Sequence, residues 1–179
     1  CGDDRRVQQV FSFALEQQLP GLLNMGQSCN SQDVGNTALA CVYAEVKGNM
    51  ELFISALAGR LSGPSNVMHD AKPQNWSNLI YACGKLVDLA GGEVSVLGKD
   101  FGVIVRGSAA AMVDAVDCPV GKQVTAQELS NTLWGLAHFE WYNNADVSVL
   151  AGAAADRVRS SKPQDMANNL WALHTLGWH

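Results

Sequence analysis

"PQDMANNLWALHTLG", residues 163–177, does not stand alone in this chain. "AQELSNTLWGLAHF" at 126–139 is a close second copy, "PQNWSNLIYACGKL" at 73–86 a third, and "SQDVGNTALACVYA" at 31–44 a more distant fourth. The copies align on Gln32, Gln74, Gln127 and Gln164, spaced by 42, 53 and 37 residues. Four residues after each Gln stands an Asn: Asn36, Asn78, Asn131 and Asn168. A phrase returning at such intervals marks a repeat architecture rather than one isolated helix.

A second element alternates with the first. "VFSFALEQQL" at 10–19 matches "LFISALAGRL" at 52–61 at an offset of 42, with Phe11 over Phe53, Ala14 over Ala56 and Leu15 over Leu57. "VLAGAAADRV" at 149–158 aligns more loosely and sets Arg157 over Arg60, and "VIVRGSAAAMVDAV" at 103–116 precedes Gln127. The excess of the long spacing is expected as a loop insertion in "LAGGEVSVLG", residues 89–98. Chance similarity among Ala- and Leu-rich helices does not readily make two different elements alternate.

Both elements read as helices. Leu129, Leu133, Leu136 and Ala137 form the apolar stripe of an amphipathic helix. Thr125 and Glu128 have capping-box spacing, Pro73 and Pro163 suit a first helical position, and Asp33, Glu128 and Asp165 suit the positive end of a helix dipole. Gly48 and Gly177 suit helix stops. Helix A is therefore expected near 31–46, 73–88, 126–140 and 163–177, and helix B near 7–19, 50–61, 101–116 and 145–160. The whole chain, 1–179, reads as an all-α solenoid of about four helix-turn-helix units, since such pairs bury their apolar faces on their neighbours. It starts on a helix B and stops on a helix A without an evident polar cap at either end, and is expected to be an open segment of a longer array.

Bulk composition narrows the function classes. At 47% hydrophobic residues the chain can fill a core. Its net charge of −5 is a poor match for gripping nucleic acid by charge alone. The five cysteines are widely spaced without a C-x-x-C pair, which favours buried free thiols over a disulfide framework or zinc knuckle. His138 and His174 lack ligand spacing, so neither metal nor cofactor is expected. No apolar run has membrane-spanning length, and membrane insertion is not expected. No nucleophile motif, phosphate loop or carboxylate pair marks an enzyme.

The phrases "KPQDMANNLWALHTLG" and "AQELSNTLWGLAHF" resemble the signature of the octotricopeptide repeat family. The resemblance covers residues 31–179, and residues 10–19 fit a preceding helix B. It implies a modular RNA binder of a mitochondrion or chloroplast, one that stabilises, processes, splices or helps translate organellar mRNA, or a part of an organellar ribosome that meets rRNA and other proteins of the ribonucleoprotein. DNA is not among the implied partners. An α-solenoid also serves as a protein scaffold without direct RNA contact, so that alternative stands beside it.

A helical wheel at roughly 100° per residue separates the faces of helix A. Val34, Trp76, Leu129 and Met166 fall on the core side with Ala38, Ile80, Leu133 and Leu170. Small residues flank them: Gly35, Ser77, Ser130 and Ala167 on one side, and Ala40, Ala82, Gly135 and Ala172 on the other. Away from the core lie the four Asn residues and a varied set, Tyr43, Lys85, His138 and Thr175, beside Leu39, Tyr81, Trp134 and Trp171. Polar groups next to aromatic rings suit unstacked RNA bases. An Asn identical in every copy cannot distinguish bases, which favours a hydrogen bond across the repeat interface, and Trp134 and Trp171 read more readily as core. Lys72 and Lys162, just before the helix A prolines, and Arg60 and Arg157, ending helix B, are candidates for a phosphate-tracking edge.

Overall fold

A computed structural model describes Gln9, residues 30–43, Ser55, residues 57–59, Leu61, and residues 68–89, 98–118 and 124–178. Every regular element among them is a helix. These are α1 (Ser31–Tyr43), α2 (Pro73–Leu89), α3 (Gly98–Asp117), α4 (Ala126–His138), α5 (Asn144–Asp156) and α6 (Pro163–Thr175), with a 3-10 turn at Val158–Ser160. The expected helix B near 7–19 lies outside the described residues except for Gln9. Of the one near 50–61, Ser55, residues 57–59 and Leu61 are described, and all are helical.

The start of each helix A is built the same way from different residues. The third residue of the first turn turns its side chain back to accept from the backbone N–H three positions earlier. Asn30 donates to Asp33 at 2.9 Å, Lys72 to Asn75 at 2.9 Å, Thr125 to Glu128 at 2.7 Å and Lys162 to Asp165 at 2.9 Å. The Glu128 N–H donates in return to the Thr125 hydroxyl, completing a reciprocal box. Pro73 and Pro163 open α2 and α6, where a missing N–H costs nothing. At the far end of α6, Gly177 takes φ +68°, a left-handed conformation that glycine adopts without strain. Gly48 lies outside the described residues.

Helices α1, α2, α4 and α6 form a row in chain order, each packed extensively on the next. Helices α3 and α5 touch each other; α3 lies against α2 and α4, and α5 against α4 and α6. Small flanks let the row close. A Cβ on Gly135 would stand 2.6 Å from the Ile80 carbonyl oxygen, and one on Gly35 would stand 3.2 Å from the Asn75 carbonyl oxygen. Ser130 Oγ donates to the Asp165 carbonyl at 3.3 Å, tying α4 to α6. Behind the row, Ile80, Leu129, Leu133, Phe101, Ile104, Met112 and Leu150 are fully buried.

Three expectations need correction. The long spacing is not explained by a loop alone: α2 has 17 residues where α4 has 13, and α3 has 20 where α5 has 13. Met166 and Leu170 share the register of buried Leu129 and Leu133, yet are 37% and 72% exposed. No described helix follows α6, so Met166 and Leu170 lack the cover that Leu129 and Leu133 have. Cys41 and Cys83 are buried free thiols as expected, but Cys118 is exposed.

Candidate nucleic-acid interface

One ridge of helix A carries the aromatic and polar side chains that the register singled out. On α2 this ridge is Tyr81, Gly84, Lys85 and Asp88; on α4 it is Trp134 and His138; on α6 it is Trp171 and Thr175. The rings of successive helices meet. Tyr81 and Trp134 have centroids 5.0 Å apart, and Trp134 and Trp171 are 6.1 Å apart. Gly84 positions this row, because a Cβ there would come within 3.0 Å of the Trp134 ring.

Polar groups thread the rings. Lys85 Nζ lies 4.4 Å from the Trp134 centroid and 5.8 Å from that of Tyr81, a cation over two π faces. The His138 imidazole lies 3.9 Å from Trp134 and 4.8 Å from Trp171. Its Nδ1 is 3.0 Å from Asp88 Oδ1, while Lys85 Nζ is 3.6 Å from Asp88 Oδ2. His138 Nε2 is buried without a hydrogen-bond partner. Burial of the Tyr81 hydroxyl, then the nearby Tyr43 and Asp88, raise its pKa.

Burial is the largest influence on His138 and lowers its pKa; Asp88 acts to raise it and Lys85 to lower it. The neutral imidazole donates Nδ1–H to Asp88 and leaves a lone pair on Nε2. The unfolded chain therefore takes up a proton below the ordinary value of 6.5 where the folded state resists it. Stability from this group rises with pH up to 6.5 and is level above it. Thermal melts of the wild type should fall as pH drops below 6.5, and those of His138→Gln should fall less over the same interval.

Several candidate residues are placed differently from expectation. His138 sits at the groove register but is 12% exposed, held by Asp88 and flanked by two indoles, so it does not present a free edge. Trp134 is half-buried and Trp171 is 43% exposed, so neither is a core residue. Tyr43 is exposed beyond the row, and Thr175 donates its hydroxyl to the Trp171 carbonyl at 2.9 Å. Asn36 is exposed, and Asn78, Asn131 and Asn168 are half-buried on the same side. Among the described residues none of the four amides makes the expected bond across the interface, and Ser130, beside Asn131, ties α4 to α6 instead.

The phosphate-edge candidates come together only in part. Arg157 and Lys162 line one open cleft of about 690 Å³ with Gln127, Asp156 and Asp165. Arg157 also donates to the Ala153 carbonyl at 2.9 Å. Lys72 is exposed in the register of Lys162 but outside this cleft, and Arg60 lies outside the described residues. Asp88 is the site residue that sequence reasoning missed. It stands one turn after Lys85, and Lys85 shares its register with His138 on the next helix A, which is the signal that could have found it.

Among the described residues, no group of three or more His, Cys, Asp or Glu side chains is arranged to hold a metal ion, and no helix is long and apolar enough to cross a membrane. Burial pushes the Cys41 thiol up to about 11 and raises Cys83 as well, so neither is a thiolate at neutral pH. Comparison with family models, curated proteins and solved structures finds no match to this chain.

Proposed function

We propose that this chain is a non-catalytic, RNA-binding α-solenoid segment of about four repeats, an octotricopeptide repeat protein of a mitochondrion or chloroplast. It binds single-stranded or ribosomal RNA along the ridge of its helices A, as part of an organellar ribosome or as a factor in RNA stability, processing or translation. The observation that carries the reading is the row of Tyr81, Trp134 and Trp171 on successive helices, with Lys85 among them. Bases stack on such rings whatever their identity, and a nearby cation meets the backbone. The organelle and the family rest on the resemblance of the helix A phrase.

The phosphate edge can be tested by salt dependence. Neutralising Arg60, Lys72, Arg157 and Lys162 together should flatten the logarithmic salt dependence of single-stranded RNA binding, by about 0.7 for each phosphate that is no longer neutralised. An unchanged slope would assign these residues to a solvated rim. A protein-binding scaffold is the second reading, and the exposed Met166, Leu170 and Trp178 on and after α6 favour it. Recovery of proteins but no RNA after crosslinking in cells would decide for the scaffold.

A further inference from the structure

We infer that the corner formed by Trp134 and Trp171, which His138 fills in the free protein, is a guanine slot. This rests on the RNA-binding reading and adds to it a base identity and an internal competitor. A flat heteroaromatic ring already occupies that corner, its centroid 3.9 Å from one indole and 4.8 Å from the other and its plane tilted by 50° and 36° to theirs. One ring nitrogen lies 3.0 Å from Asp88 Oδ1 and donates to it. The fit is incomplete, because Nε2 is buried without a partner. A buried unsatisfied nitrogen weakens the resident occupant. His138 is the last residue of α4, so its side chain can leave the slot without unwinding a helix interior.

Asp88 selects the incoming base. A carboxylate only accepts hydrogen bonds, and its two oxygens match two donors side by side. Guanine alone among the four RNA bases carries adjacent donors on its Watson–Crick edge, N1–H and the N2 amine. Adenine and cytosine set an acceptor beside their amine, and uracil flanks its N3–H with two carbonyl oxygens that would face the carboxylate. When His138 swings out, Oδ1 is freed for guanine. Oδ2 faces Lys85 at 3.6 Å and keeps room for a second donor, Asp88 being 43% exposed.

The test titrates fluorescently labelled oligouridines carrying one central G, A, C or U. The wild type should bind the G-containing strand most tightly. His138→Ala should bind it tighter still, on the order of tenfold, because the competitor is gone. His138→Thr, which places the residue of the last copy at this position, should act in the same direction. Asp88→Asn should abolish the preference for G, with its melt showing that the fold is kept. Weaker binding by both His138 variants, or an unaltered base preference in Asp88→Asn, overturns the slot. Four strands bound alike would also overturn it and leave the RNA reading standing. No binding of any strand would remove both.

Discussion

Replacing Gly135 with Ala is expected to destabilise the protein by about 2 kcal/mol, because overpacking costs about 1–3 kcal/mol and more where backbone must shift, while the better helix propensity of Ala returns up to about 1. The added methyl would sit 2.6 Å from the Ile80 carbonyl oxygen, 2.9 Å from its carbonyl carbon and 3.0 Å from its Cγ1. These atoms belong to α2, the neighbour in the row, so relief requires α2 and α4 to move apart. Gly152 supplies the control. It lies within α5 with nothing inside 4 Å of its hypothetical Cβ, and Gly152→Ala should stabilise by up to about 1 kcal/mol. Urea unfolding measures both: midpoints should move in opposite directions with little change in slope. A Gly135→Ala protein as stable as the wild type would mean that α2 and α4 do not pack backbone to backbone.

Replacing Trp171 with Ala should weaken single-stranded RNA binding by about 1–3 kcal/mol, the scale of one base stacked on an aromatic ring. Trp171 is the most open ring of the row at 43% exposure, so it can receive a base with little rearrangement. The same exposure means that its loss should disturb the melt less than loss of a core ring. Trp141 is a suitable contrast, since it is half-buried away from the row and its indole N–H donates to Asp146 at 3.1 Å. Trp141→Phe should leave RNA affinity unchanged. Binding titrations at one fixed salt concentration, with melts beside them, separate the effects. Equal affinity for Trp171→Ala and wild type would remove the stacking surface from the account.

Helix positions and caps were legible because they are local. The Thr125–Glu128 spacing and the prolines at 73 and 163 state where a helix begins, whatever packs on it later. The paired small flanks were legible too, since Gly35 and Gly135 only make sense if something comes close. The surroundings of each repeated residue were not legible. Met166 and Leu170 have the periodicity of core residues, but burial also needs a neighbour, and no described helix follows α6. Trp134 looked like core because tryptophan usually is; it lies at the rim because Gly84 leaves a flat seat for its ring on α2. The Asn of every copy suggested a bond across the interface, yet among the described residues such a bond is made in one copy alone, by Ser130, one step round the helix from Asn131. The His138–Asp88 pair joins α4 to α2 across 50 residues of chain, and no local pattern announces it.

Photocrosslinking tests the central claim most directly. Single-stranded RNA carrying 4-thiouridine, irradiated with the protein and mapped by mass spectrometry, should attach to Tyr81, Lys85, Trp134 or Trp171, and to a much smaller extent when the RNA is fully duplexed. Crosslinks confined to α3 and α5, or none from single-stranded RNA at concentrations that saturate the row, would contradict an RNA-binding face on the helices A.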